Sequence, residues 1–105
     1  MVDRFDVYLV NLDAELSRDA RNTRPCVVIS PNEMNRNLKS VIVAPLSASA
    51  KYPTRVPVNF LSNERVVVLD QIRTVDGERL VKKIGEIDPA EQTEVLKCLA
   101  ELFAE

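Results

Sequence analysis

Three arginines in seven positions, Arg18, Arg21 and Arg24, stand just ahead of Pro25 and the apolar run Cys26-Val27-Val28-Ile29. A guanidinium is a planar fork of donors that keeps its proton and matches phosphate oxygens, so the stretch is suited to binding an anion. Loops supported by a buried element are where such groups tend to act. On composition alone, however, a charged run of this kind reads first as a solvated face.

A second basic stretch, Lys51-Tyr52-Pro53-Thr54-Arg55, sets an aromatic ring among cations. Lys51 and Arg55 could hold backbone phosphates while Tyr52 stacks a splayed base, although an ordinary edge contact is the plainer reading of Tyr52. By the same standard Ser47 is a strand-end hydroxyl, and Asp70 is a structural partner for Arg73.

The chain has no histidine, which removes Ser–His and Cys–His catalysis and the common zinc sets. Its glycines are Gly77 and Gly85, too few for a P-loop or a dinucleotide fingerprint, and no carboxylates have calcium-loop spacing. Function without metal or nucleotide cofactor is the expectation. Cys26 and Cys98 have neither the count nor the spacing of a disulfide framework and read as buried free thiols.

With 105 residues, 46% hydrophobic and 29% charged, the composition is that of one ordinary globular domain spanning 1–105. No run is long enough to span a bilayer and the start does not read as a signal peptide, so a cytoplasmic chain with no membrane partner is expected. The net charge of -2 gives no long-range pull on nucleic acid. Its distribution is uneven: residues 14–57 hold seven basic and three acidic side chains, and residues 58–105 hold six basic and ten acidic. A basic face on an acidic molecule is possible.

Period-2 alternation of Phe5, Val7 and Leu9 predicts a strand over Arg4–Leu12. A loop over Asp13–Thr23 and a strand over Cys26–Ser30 follow, with Pro25 setting the entry so that all three arginines lie on the loop side. Glu33–Lys39 reads as a short helical turn or irregular link, and Ser40–Leu46 as a strand buried on both faces. Further strands are expected over Val56–Phe60, Val66–Leu69 and Leu80–Ile87, with turns at 62–64 and at Asp76-Gly77. Asp88-Pro89-Ala90-Glu91 supplies an N-cap, a first-turn proline and a glutamate three on, so a helix over Asp88–Ala104 should lay the apolar face of Val95, Leu96, Leu99, Leu102 and Phe103 on the sheet. The fold class is mainly β with α, a compact antiparallel barrel closed by a C-terminal amphipathic helix.

The order of Val-Tyr-Leu-Val-Asn-Leu at 7–12, Arg24-Pro25 before a strand, Val-Ala-Pro-Leu-Ser at 43–47, Asp-Gln-Ile-Arg-Thr-Val-Asp at 70–76 and Arg79-Leu80 resembles the MazF/PemK toxin family. The resemblance runs nearly the whole chain. It implies an SH3-like barrel and a homodimer, the toxin half of a toxin–antitoxin pair. The implied activity is metal-independent cleavage of single-stranded messenger RNA at short sequences, leaving 2′,3′-cyclic phosphate and 5′-hydroxyl ends. It also implies that Arg24 and Ser47 are the catalytic pair, with Asp19, Asp70 and Gln71 among the RNA contacts; Arg18 and Arg21 become movable phosphate contacts. The proton acceptor stays open among guanidine, Asp19 and Asp70. A cognate antitoxin with an acidic, partly disordered tail is the implied protein partner, and contact with DNA would come only through it.

The chain departs from the family pattern in its first loop, where Ser17, Asp19, Arg21 and Asn22 replace a glycine-bearing segment. Ser47 stands where threonine is common, and the arginine–histidine pair of some members is replaced by Val68 and Ser17. Gyrase-poisoning CcdB proteins share the barrel-and-helix architecture but depend on a C-terminal Trp-Gly-Ile, whereas this chain ends Leu-Phe-Ala-Glu and has no tryptophan. A catalytically degenerate, antitoxin-binding chain is the remaining alternative.

Overall fold

A computed structural model describes residues 2–12, 22–37, 39–48 and 55–104. Its strands are β1 (Asp6–Asn11), β2 (Thr23–Val28), β3 (Ser40–Ser47), β4 (Arg55–Phe60), β5 (Asn63–Val68), β6 (Arg73–Asp76) and β7 (Leu80–Glu86). A short helix α1 (Asn32–Asn37) follows β2, and α2 (Pro89–Leu102) ends the chain. The strands make one curled antiparallel sheet in the order β4-β5-β3-β2-β1-β7, with β6 also paired to β3. The barrel-and-helix expectation therefore holds.

The three central strands are apolar on both faces, and their side chains divide into two cores. Val7, Val27, Ala44 and Leu46 face Val56, Val58, Phe60 and Val67 of the β4–β5 ribbon together with Val95 and Cys98 of α2. Val10, Cys26, Val28, Val41, Val43 and Val75 form the second cluster on the opposite face. Period-2 geometry makes this division unavoidable once the strands pair, because a one-residue slip would exchange the two sets.

Several expected boundaries move. β2 begins at Thr23, so Arg24 and Pro25 belong to the strand and not to the loop. Pro25 lies opposite Leu9 of β1, but the pairing of β2 with β3 starts only at Cys26, so the missing N–H falls where β2 has a single partner. Arg73–Asp76, to which the sequence assigned only the turn at Asp76-Gly77, is a strand because it pairs with Ser40–Val43. The turn between β4 and β5 is Leu61-Ser62, whose φ values of 49° and 64° form a two-residue hairpin without the usual Asn-Gly.

At α2 the Asp88 carboxylate accepts from Glu91 N at 3.0 Å and Glu91 Oε1 accepts from Asp88 N at 3.4 Å. This capping box, with Pro89 in the first turn, contributes about 1 kcal/mol to the helix. Glu91 Oε2 also accepts from Asn59 N at 2.6 Å, which ties the helix to the outer strand β4. On β1 the buried Asp6 carboxylate accepts from Asp3 N and pairs with Lys83 at 3.2 Å. The hydrogen bond that Lys83 donates to Asp6 raises its ammonium above the ordinary value, so this stabilisation is present below about pH 10.5 and lost as pH rises through the folded value.

Gly85, at φ 154°, lies under the Phe60 ring, and a Cβ there would meet ring carbons at 2.9 and 3.0 Å. Gly85→Ala is therefore expected to lower stability by about 1–3 kcal/mol in urea unfolding. Adding Phe60→Leu should make the double change less costly than the sum of the single ones; strict additivity would show that the ring is not what excludes the methyl.

Candidate functional site

The site forms where β3 changes partners. On one edge β3 pairs with β2 through Cys26↔Pro45, Val27↔Ala44 and Val28↔Val43. On the other edge it pairs first with β6 over Ser40–Val43 and then with β5 through Leu46↔Val67 and Ser47↔Val66. The 3-10 turn Leu69–Gln71 links β5 to β6 and lies in the fork between them, against β3.

Continuing the β2–β3 register two residues past Cys26↔Pro45 sets Arg24 opposite Ser47. Both lie beyond the last paired rung, at the mouth where β2 and β3 part. Residues directly opposite in an antiparallel pair share a face, so the Arg24 and Ser47 side chains lie on the face of Cys26 and Pro45. Arg24 is exposed and Ser47 half-buried at the end of β3. Thr23, just before Arg24, is buried and pairs with Asn11, so the arginine rises from a fixed backbone.

Asp70 and Gln71 are exposed on the 3-10 turn in the fork. Asp70 Oδ1 accepts from Arg55 Nε at 3.3 Å, so two residues expected to contact RNA separately form an ion pair with each other. The partner shown for Asp70 is thus Arg55, at the start of β4, where the sequence suggested Arg73. Arg18, Asp19, Arg21, Lys51 and Tyr52 lie outside the described residues.

Arg73 is a residue that the sequence reading assigned no functional role. It pairs across β3 with Val43, which pairs with Val28, so it shares the face of Cys26 and of Arg24. Its place two residues before Val75, on the same face of a strand, was the available signal. Burial pushes the Cys26 thiol up to about 12, against a smaller opposing pull from the Arg73 guanidinium. Arg24 and Arg73 thus provide two cations on one face, with a hydroxyl at its end: an arrangement able to hold phosphodiester oxygens and donate to them. Among the described residues no group of His, Cys, Asp or Glu side chains could hold a metal ion.

A family model for the PemK-like, MazF-like toxin of type II toxin–antitoxin systems matches residues 3–103. The chain belongs to this family. It is 35% identical over 95 residues to Endoribonuclease EndoA of Bacillus subtilis (strain 168), covering 84% of this chain and 82% of that one. Its fold matches an endoribonuclease in complex with its cognate antitoxin from a mycobacterial species, with TM-score 0.80 and 25% identity over 96% of this chain and 93% of the other. MazE–MazF (Form-II) from Deinococcus radiodurans shares the fold at TM-score 0.79 and 24% identity, over 98% and 95% of the two chains. Both cysteines are free and buried, as expected.

The Cys26 thiol keeps its proton in the folded state, since its folded value lies above the unfolded 9.0. The associated stability is present below about pH 9 and lost as pH rises toward 12. Burial and the neighbouring Asp6 charge raise Tyr8 in the same sense. The melting temperature should therefore decline above about pH 9, and a thiol reagent near pH 8 should leave Cys26 unmodified until urea unfolds the chain. Rapid labelling of Cys26 in the native protein would contradict its burial.

Proposed function

We propose that this family member is an endoribonuclease toxin whose active centre is the β2–β3 mouth, with Arg24 and Ser47 as its catalytic pair. The observation that carries the reading is the β2–β3 register, which, carried two residues past its last rung at Cys26↔Pro45, sets Arg24 and Ser47, 23 apart in sequence, on one face. Likeness to proteins named endoribonuclease supplies the reaction class.

RNA brings its own nucleophile, so the protein's task is positioning and charge. The 2′-hydroxyl loses its proton, its oxygen attacks phosphorus, and the bond to the 5′-oxygen breaks as that oxygen gains a proton. The products are a 2′,3′-cyclic phosphate and a 5′-hydroxyl. Arg24 clamps the phosphate and faces the charge that develops in the phosphorane, and Ser47 donates to a non-bridging oxygen. Arg73 extends the cationic face along the backbone. Gln71 and the Arg55–Asp70 pair flank the same end of β3, where a splayed base would be read. Arg18, Asp19, Arg21, Lys51 and Tyr52 complete the proposed RNA contacts.

The partners follow from the same reading. A cognate antitoxin with an acidic tail suits the basic surplus of residues 14–57, and any contact with DNA passes through it. A homodimer would hide the large apolar side chains that α2 leaves exposed, Leu96 at 40% and Phe103 at 69%.

Arg24→Ala and Ser47→Ala should each slow cleavage of a long single-stranded RNA in EDTA by roughly 10²–10³, with an unchanged far-ultraviolet circular dichroism spectrum. Wild-type rates in Arg24→Ala would remove the assignment. Light scattering should find the wild type dimeric at micromolar concentration and the Leu96→Glu, Phe103→Glu double variant monomeric; a monomeric wild type would refute the dimer.

A further inference from the structure

We infer that Arg79 is a positioning residue for the Arg24 site, acting through the backbone that carries it; the inference rests on the ribonuclease reading. The β1–β7 ladder ends at Val10↔Leu80, and the β1–β2 ladder ends at Asn11↔Thr23. One rung past Val10↔Leu80, no backbone pair forms. A side chain stands in its place: Arg79 Nη1 donates to the Asn11 carbonyl at 3.2 Å.

The donor is itself held firmly. Arg79 closes the 3-10 turn Gly77–Arg79, whose first residue donates from Gly77 N to Lys39 O at 2.7 Å. Leu80 N donates back to Gly77 O, and Leu80 then enters the ladder opposite Val10. The turn is therefore anchored to the start of β3 on one side and to β1 on the other, and the half-buried guanidinium is presented from a fixed base.

What it grips matters for the site. Asn11 is fully buried and pairs with Thr23, and Thr23 immediately precedes Arg24. Asn11 is the last residue of β1 and Thr23 the first of β2, so this rung is the neck that joins the ends of the two strands. Strand ends open more readily than strand centres, and a charge-assisted bond at the final carbonyl opposes that opening. When the rung frays, Arg24 loses its fixed place opposite Ser47, and a displacement of about 1 Å can cost up to a hundredfold in rate.

The test is Arg79→Gln and Arg79→Lys in the full chain, read by RNA cleavage and by native-state amide exchange. In Arg79→Gln, kcat should fall roughly ten- to hundredfold with KM within about twofold of wild type. Arg79→Lys, which retains a charged donor, should recover part of the loss. Exchange at Asn11, Thr23 and Arg24 should quicken in Arg79→Gln while Val27 and Val43 stay protected. Unchanged exchange at the neck would overturn the inference whatever the activity, and so would a rise in KM alone, which would make Arg79 a phosphate contact. A wild type that cuts no RNA defeats the ribonuclease reading, and the exchange measurement still decides whether Arg79 holds the neck.

Discussion

The register of β3 is the constraint on which the rest of this structure depends. One strand of eight residues must satisfy β2 along one edge, and β6 and then β5 along the other. Its side chains alternate between two cores, so both edges and both faces are committed at once. A slip of one residue would bury Ser47 and expose Leu46, and it would dismantle three ladders together. The cationic face is anchored to the most over-determined strand of the sheet.

The fork in β3 also explains why the candidate residues gather at its C-terminal half. A strand that changes partners leaves a gap between the old partner and the new one, and the 3-10 turn bearing Asp70 and Gln71 occupies that gap. On the opposite edge the β2 ladder stops at Cys26↔Pro45, so Arg24 and Ser47 lie at the ends of ordered strands, Arg24 exposed and Ser47 half-buried. Polar groups there stay solvated without leaving the backbone unpaired in the core. A pre-organised site needs this combination of fixed backbone and free side chains.

The helix α2 was legible because its signals are local: Asp88, Pro89 and Glu91 specify its start, and Val95 and Leu99 of the expected apolar face pack on the core, but Cys98 joins them there while Leu96 and Phe103 are exposed, because the inward arc of the helix is narrower than its apolar residues. The strand β6 was not, because Arg-Thr-Val-Asp carries a single apolar residue and becomes extended only by pairing with Ser40–Val43. Arg24-Pro25 read as the end of a loop for a related reason, since a proline breaks a strand only where its N–H is required. The hairpin at Leu61-Ser62 places two non-glycine residues in the left-handed region, which no turn propensity would select. For the site, the arginine and serine types could be named from family likeness, but that the β2–β3 register, extended past Cys26↔Pro45, sets them on one face has no trace in a spacing of 23 residues.

Three of the four boundaries of the β1–β2–β3 centre are ordinary ladders, and the fourth is the neck at Asn11↔Thr23, where backbone pairing runs out on the β7 side and a side chain from β7's approach replaces it. Ladder bonds recur all along a strand and tolerate the loss of one member, whereas a contact at a strand terminus has rungs on one side only. Fold stability and site geometry therefore rest on different bonds in this molecule. The cores on the two faces hold the sheet, and on the proposed reading contacts at strand ends, such as Arg79 to the Asn11 carbonyl, aim its cations.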